Sequence, residues 1–159
     1  MTLILPTAEY RALEVFISIS ARYSLFPVTR TGFEPHLRVG EIAVVDESDV
    51  EPLNGELFVI KIRSPFAEHP DGCVRRLAQI WPVEHTGVDG EPFIGWWHGD
   101  LCRPRGMAEV EEWFAKGRMI TLCDGPMRLE HMRERIVGRV VGVFQSSAEG
   151  PRRLVGGAA

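Results

Sequence analysis

Residues 31–46 decide how this chain is organised, and they read Thr31-Gly32-Phe33-Glu34-Pro35-His36-Leu37-Arg38-Val39-Gly40-Glu41-Ile42-Ala43-Val44-Val45-Asp46. The segment from Ile42 to Val45 is apolar, rich in β-branched residues and too short for a helix, so it predicts a strand. Gly40-Glu41 predicts a turn before that strand, and Asp46 begins an acidic turn after it. Because proline disfavours a helical conformation in the residue before it, Pro35 predicts an extended Glu34 in a loop that crosses the surface.

Length and composition indicate one globular domain. The chain has 159 residues, of which 45% are hydrophobic and 25% charged, with a net charge of −4. This charge argues against a constitutive nucleic-acid surface. Three cysteines without close spacing indicate reduced thiols, and Met1 to Pro6 has neither the basic region nor the cleavage site of a signal peptide. We therefore expect a cytoplasmic protein that spans no membrane.

Short apolar segments downstream predict further strands. An Asn-Gly turn at Asn54-Gly55 separates the first strand from the next. Residues 93–97 predict either a short strand or an aromatic surface, and Asp124-Gly125-Pro126 predicts a turn. The remaining strands are expected at residues 56–62, 73–81, 119–122 and 136–144.

Two segments have helical spacing. Tyr10, Leu13, Phe16 and Ile17 lie on one face of a helix predicted from Ala8 to Arg22, with Thr7 as its N-cap. A second, shorter helix is predicted over residues 107–116 from the spacing of its apolar members, and Gly117 ends it. Those apolar members are Met107, Val110, Trp113 and Phe114.

The central segment resembles the active-site box of the LexA/UmuD-type self-cleaving serine peptidases. This family includes phage-repressor C-terminal domains and shares its fold with signal peptidases. Pro35, Leu37, Gly40, Glu41 and the strand 42–46 match its pattern, and residues 136–144 resemble its closing strand. The resemblance implies a mainly β fold, a LexA-like bent, partly open β-barrel with an N-terminal helix and an inserted short helix. One domain would then cover residues 1–145, with the helix and linker in 1–29, an insertion in 84–117 and a flexible tail in 146–159.

Both catalytic positions implied by the resemblance are changed. Gly32 stands where the family has its nucleophilic serine, and Arg75 stands where it has its general-base lysine. Glycine has no hydroxyl, and an arginine in a protein is never deprotonated, so neither residue can do the family's chemistry. Thr31 and Lys61 are the remaining candidates for a nucleophile and a base. The family cuts Ala-Gly or Cys-Gly bonds upstream of the serine, and no such pair precedes Gly32.

Other chemistry is less favoured by the sequence. His98, Cys102, Cys123 and His131 lack the Cys-x-x-Cys spacing typical of structural zinc, so we expect no metal and no cofactor. A basic set could meet phosphates, but Glu130 and Glu134 are interleaved with it, which is typical of a solvated face. This set comprises Arg128, Arg133, Arg135, Arg139, Arg152 and Arg153.

The resemblance implies a non-catalytic, peptidase-like regulatory or interaction domain. We expect a homodimer that engages a transcriptional repressor or another protein partner, or that binds a peptide in the vacated cleft, in a phage or SOS stress-response setting. Phe33, Pro35, Trp96 and Trp97 are the candidate binding residues, because aromatic anchors are enriched in interfaces. Two alternatives remain open: an active self-cleaving peptidase that uses Thr31 and Lys61, and a DNA-binding regulator.

Overall fold

The computed structural model describes residues 13–117 and 123–146. In these two ranges the chain forms eight strands and two helices. They are β1 (Glu14–Phe16), β2 (Tyr23–Pro27), β3 (Ile42–Asp46), β4 (Leu57–Arg63), β5 (Cys73–Thr86), β6 (Pro92–Gly99), α1 (Met107–Ala115), β7 (Asp124–Met127), α2 (Leu129–Arg135) and β8 (Ile136–Phe144).

The strands form one open sheet in the order β2-β3-β8-β4-β5-β6-β7. All of these pairs are antiparallel, whereas β1 lies parallel to the end of β8. The predicted mainly β class is therefore confirmed, and the described sheet does not close on itself. The strands predicted at 42–45, 56–62, 73–81, 93–97 and 136–144 are all present.

The last strand, β8, holds the sheet together from its centre. β3 pairs with it along one side, while β4 and β1 share the other side. Two glycines in β8 allow this crowding, because a Cβ atom at Gly138 would lie 2.6 Å from the Asp46 carbonyl oxygen, and one at Gly142 would overlap β1. Burial alternates along most of β8, because successive side chains of a strand point to opposite faces of the sheet. This explains the apolar pattern of residues 136–144.

Apolar side chains fill both faces of the sheet. The first cluster lies under residues 31–41 and contains Val28, Phe33, Leu37, Ala43, Val45, Leu57, Val59, Leu77, Leu101, Val140 and Val143. The second lies under α2 and contains Phe58, Ile60, Ala78, Ile80, Met127, Met132 and Ile136. Adjacent residues of β4 and β5 therefore face different clusters, and so do the neighbouring residues Arg75 and Arg76.

The loop before β3 is anchored in the core, contrary to the expectation that it only crosses the surface. Phe33 and Leu37 are both fully buried, and the Leu37 N–H donates to the Phe33 carbonyl oxygen at 3.1 Å. The Glu34–Pro35 peptide bond between them is cis. The apolar side chains of the loop pack against the apolar face of the sheet, because this contact removes apolar surface from water.

The predicted N-terminal helix from Ala8 to Arg22 is wrong where the structure describes it. Residues 14–16 form β1 instead, and its Phe16 packs edge-on against Tyr23 with ring centroids 5.4 Å apart. Pairing with β8 outweighs the local helical spacing, because short apolar segments suit either period and long-range contacts decide between them. Residues 8–12 of that prediction lie outside the described residues.

Of the remaining elements, α1 was predicted, β7 was predicted as a turn, and β2 and α2 were not predicted. α1 confirms the helix predicted at 107–116. Asp124-Gly125-Pro126 is not a turn but part of the edge strand β7, where proline is tolerated. The helix α2 was not predicted, because seven residues give little periodicity. The predicted strand at 119–122 and the tail from residue 147 lie outside the described residues.

Among the described residues, no helix has the length and apolar character needed to cross a membrane.

Candidate functional site

The position that would carry a nucleophilic serine is held in a conformation suited to glycine. Gly32 has φ of +114°, which side-chain-bearing residues rarely adopt. Its N–H donates to Glu34 Oε2 at 2.9 Å, and its carbonyl oxygen accepts from the Cys102 N–H at 2.9 Å. The hydrogen bond from the Gly32 N–H to Glu34 is also the main reason that the pKa of Glu34 lies below its ordinary value. The loop is therefore fixed on both sides of Gly32.

The space next to Gly32 is occupied by a carboxylate. A Cβ atom at position 32 would lie 2.9 Å from Asp100 Oδ2, so a serine could not be placed there without displacing Asp100. Asp100 is 4% exposed and forms an ion pair with Arg30. Burial raises the pKa of Asp100, and the positive charge of Arg30 opposes that rise. The buried Asp100 carboxylate and the exposed Arg30 thus form an ion pair beside Gly32, the position that the resemblance assigns to the nucleophile.

Arg75, which the resemblance assigns to the general-base position, lies elsewhere on the sheet. Arg75 stands directly opposite Lys61 in the β4–β5 ladder, and its Nη2 donates to Asp71 Oδ2 at 2.8 Å. Arg75 also lines a pocket of about 140 Å³, which is formed by Ser24, Leu25, Phe26, Val45, Glu47, Val59 and Val137. Neither Gly32 nor any other residue of the 31–41 loop lines that pocket. The structure therefore pairs Arg75 with Lys61 rather than with Gly32.

The fallback pair is not assembled. Thr31 and Lys61 are both exposed, and in the described ranges no hydrogen bond or ion pair joins them. A nucleophile and its base must lie within hydrogen-bond reach, so this geometry gives Thr31 no activating partner.

The four predicted binding residues do not form one surface. Phe33 is 0% exposed and belongs to the core, whereas Pro35 is exposed. Trp96 packs against the second core cluster. Trp97 points to the other face, where its Nε1 donates to His85 Nε2 at 2.9 Å. Both tryptophans are half-buried, so they contribute to packing as well as to the surface.

Three members of the basic set are already paired with carboxylates. Arg133 makes a two-pronged contact with Glu51 at 2.6 and 2.9 Å. Arg139 approaches Asp49 at 2.6 Å, and Arg135 approaches Asp124 at 2.6 Å. These contacts agree with the interpretation of a solvated, mixed-charge face. Within the described ranges, no three histidine, cysteine, aspartate or glutamate side chains are grouped to hold a metal ion.

Two ion pairs that sequence reasoning did not connect, Arg30–Asp100 and Arg135–Asp124, are both influenced by the charge of Arg76. We call Arg30, Arg76, His98, Asp100, Asp124 and Arg135 the arginine–aspartate cluster. His98 stands opposite Ile80 in the β5–β6 ladder, and β7 brings Asp124 opposite His98. Arg135 at the end of α2 reaches both of them, with its Nη1 3.2 Å from His98 Nε2 and 2.6 Å from Asp124 Oδ2.

His98 is held neutral at the centre of this cluster. Its side chain is 0% exposed, and burial lowers its pKa to about 4, helped by the positive charges of Arg76 and Arg135 and opposed by Asp124. Because an arginine N–H can only donate, His98 Nε2 accepts from Arg135 and the proton lies on Nδ1. His98 Nδ1 is buried and has no hydrogen-bond partner among the described residues.

One sequence signal could have pointed to this cluster. His98 and Asp100 are two residues apart directly after the strand predicted at 93–97, so their side chains would share a face if that strand were extended. The contribution of Arg135 and Asp124 depended on α2 and β7, which the sequence did not predict. Comparison of the chain with protein-family models, curated proteins and solved structures gives no match.

Proposed function

We propose that this chain is a non-catalytic, peptidase-like domain that acts by associating with other proteins. The observation that carries this proposal is the contact between Gly32 and Asp100. Not only is the hydroxyl nucleophile missing, but its place is filled by a buried carboxylate that Arg30 holds. Reactivity at this position would require a new side chain and also a rearranged ion pair.

The second half of the dyad supports the same function. Arg75 cannot accept a proton, and it is engaged by Asp71 on a different part of the sheet. Thr31 and Lys61 are exposed and unconnected in the described structure. An active peptidase built from these residues would need a nucleophile and a base that meet.

Association at a sheet edge is the use that this architecture favours. Within the described residues, β2 and β7 end the open sheet, and Leu25 of β2, which also lines the pocket beside Arg75, is 45% exposed. Unpaired strand edges are natural sites for adding a strand from another chain. The resemblance supplies the finer proposal: a LexA-like bent, partly open barrel that forms a homodimer and engages a transcriptional repressor in a cytoplasmic phage or stress-response setting.

The first test is the intact mass of the purified protein during incubation at pH 7 and pH 10. A non-catalytic domain keeps its mass at both values. A defined fragment that no longer forms in Thr31→Ala or Lys61→Ala would contradict the proposal and establish the active-peptidase alternative.

The second test is sedimentation of the protein over a range of micromolar concentrations. A homodimer through β2 predicts a concentration-dependent dimer that Leu25→Lys weakens, while Val39→Lys leaves it intact. Val39 is a suitable control because it is also exposed (52%) but lies outside the sheet. A monomer throughout would contradict the dimer.

A further inference from the structure

Part of the β5–β6 hairpin extends beyond the rest of the sheet. β4 pairs with β5 only as far as Gln79, and β7 pairs with β6 only from Trp96 onward. Residues 83–86 and 92–95 therefore pair only with each other within the described chain. We call residues 83–95 the arm. A two-stranded hairpin is only marginally stable in water, so the arm is stabilised by any surface that packs on it.

One face of the arm carries an apolar side chain beside a carboxylate. Ile94 and Glu84 are directly opposite each other in the β5–β6 ladder, so their Cβ atoms lie about 5 Å apart. Ile94 is 54% exposed, and Glu84 is exposed and forms no ion pair with any described residue. Asp89 and Glu91 are exposed as well and extend the negative charge to the end of the arm. The arm thus offers an apolar contact with a negative rim.

The pocket beside Arg75 lies in a gap of the curved sheet. Residues of both β2 and β5 line it, although three other strands separate β2 from β5 in the order of the sheet. The sheet must curve to bring these two strands to one pocket of about 140 Å³. We call the gap between β2 and residues 73–78 of β5 the seam. Its floor is apolar and includes Val45, Val59 and Val137.

Both walls of the seam have an unpaired backbone edge among the described residues. β2 pairs with β3 on one side only. Residues 73–78 pair with β4 on one side only, because β6 begins to pair with β5 at Gln79. Such edges accept backbone hydrogen bonds from an added strand. The arm has free edges of the same kind, so backbone pairing is open to both surfaces.

Positive side chains border the seam. Arg75 lines the pocket, Lys61 is directly opposite Arg75 in the β4–β5 ladder, and Arg63 follows on the same face. Asp71 pairs with Arg75, whereas Lys61 and Arg63 are exposed and form no ion pair within the described ranges. Like charges directly opposite each other destabilise a sheet, and an incoming carboxylate relieves this repulsion. The seam therefore has the charge that complements the arm.

We propose that the arm of one copy of this chain occupies the seam of a second copy, with Ile94 in the pocket and Glu84 against Lys61 and Arg75. This inference rests on the proposed association and names the two surfaces that meet. The arm does not reach the seam of its own chain, because about 30 Å of continuous strand separates Arg75 from Glu84. A two-fold axis makes the exchange reciprocal and closes the dimer.

The test is sedimentation equilibrium of the full chain over a range of micromolar concentrations. Lys61→Glu and Glu84→Lys each reverse an exposed charge and should each raise the dimer dissociation constant about tenfold or more, because like charges then meet across the interface. An equimolar mixture of the two variants should regain the wild-type constant, since each arm then meets a seam of opposite charge. This recovery cannot come from a folding defect.

Matched controls lie on the segment around α1, outside both surfaces. Arg105→Glu and Glu111→Lys also reverse exposed charges and should leave the dissociation constant unchanged. Ile94→Ala removes the side chain assigned to the pocket and should weaken the dimer about tenfold. Met107→Ala, at a residue that is 72% exposed, should have no effect.

The outcomes separate this inference from the proposed function. A dimer that Lys61→Glu, Glu84→Lys and Ile94→Ala leave unchanged would overturn the arm exchange and keep association through another surface. Failure of the mixture to recover would also overturn the exchange. A monomer at every concentration would overturn both the exchange and the homodimer.

Discussion

The Asp100 carboxylate lies so close to the backbone of Gly32 that a Cβ atom at position 32 would be 2.9 Å from Asp100 Oδ2. The two residues are far apart in sequence, and the close approach depends on glycine for two reasons. One is the missing side chain, and the other is a φ of +114°. This relationship explains why glycine suits position 32.

Gly32→Ala should therefore destabilise the protein by about 2–3 kcal/mol, because strain from the positive φ adds to the contact with Asp100. Gly40→Ala is the matched control, since Gly40 has φ of +91° in the same loop but no atom within 4 Å of its Cβ position. It should cost only about 1 kcal/mol. Urea unfolding of both variants measures the difference, and equal losses would show that the Asp100 contact has no effect.

Phe33→Ala should lower the free energy of unfolding by about 3–5 kcal/mol, the usual cost of removing a buried aromatic side chain. Phe33 was a candidate binding residue, and its complete burial makes it a core residue instead. Phe66→Ala, at a side chain that is 88% exposed, should change stability by less than about 0.5 kcal/mol. A small loss for Phe33→Ala in denaturant unfolding would contradict its placement in the core.

Stability should fall as the pH is lowered from 7 toward 4, with His98 as one cause. Its pKa is about 4 in the folded protein against an ordinary 6.5. Between these values the unfolded chain therefore binds more protons, so acid favours unfolding. The full effect would approach roughly 3 kcal/mol by the pKa difference alone.

His98→Gln tests this assignment, because glutamine does not titrate. The pH dependence of unfolding between pH 4 and pH 7 should become shallower in this variant than in the wild type. Parallel curves for the wild type and His98→Gln would exclude His98 as a source of acid sensitivity.

Arg103 joins the segment after β6 to the sheet, and Arg103→Lys should destabilise the protein by about 1–2 kcal/mol. The Arg103 Nη1 donates to Gln79 Oε1 and to the Asp100 carbonyl oxygen, each at 2.7 Å, and its guanidinium lies 3.5 Å from the ring centroid of Trp81. Lysine keeps the charge but loses the planar stacking and the fork. Thermal unfolding and tryptophan emission report the change, and the exposed Arg105→Lys should leave both unaltered.

The sequence by itself predicted most of the central strands. Short apolar segments rich in β-branched residues favour strands, because these side chains pack well on a pleated, half-buried surface. Such segments form the strands at residues 42–46, 57–63 and 136–144. The turn at Asn54-Gly55 follows from the positive φ of Gly55, and α1 follows from helical spacing. Gly32 lacks a hydroxyl and Arg75 lacks a removable proton in any fold, so neither can act as a nucleophile or a general base.

Only the tertiary structure decided which charged residues meet. Neighbouring arginines 75 and 76 look alike in sequence, yet the strand pleat sends them to opposite faces. Asp100 reaches Gly32 and Arg30 across the fold, and Arg135 reaches His98 through a helix too short to be predicted. The predicted N-terminal helix failed for the same reason, because β8 offered residues 14–16 backbone partners distant in sequence. Local periodicity carries no information about partners that are distant in sequence. Which backbone groups and charged side chains are buried is therefore decided only when these partners come together in the folded protein.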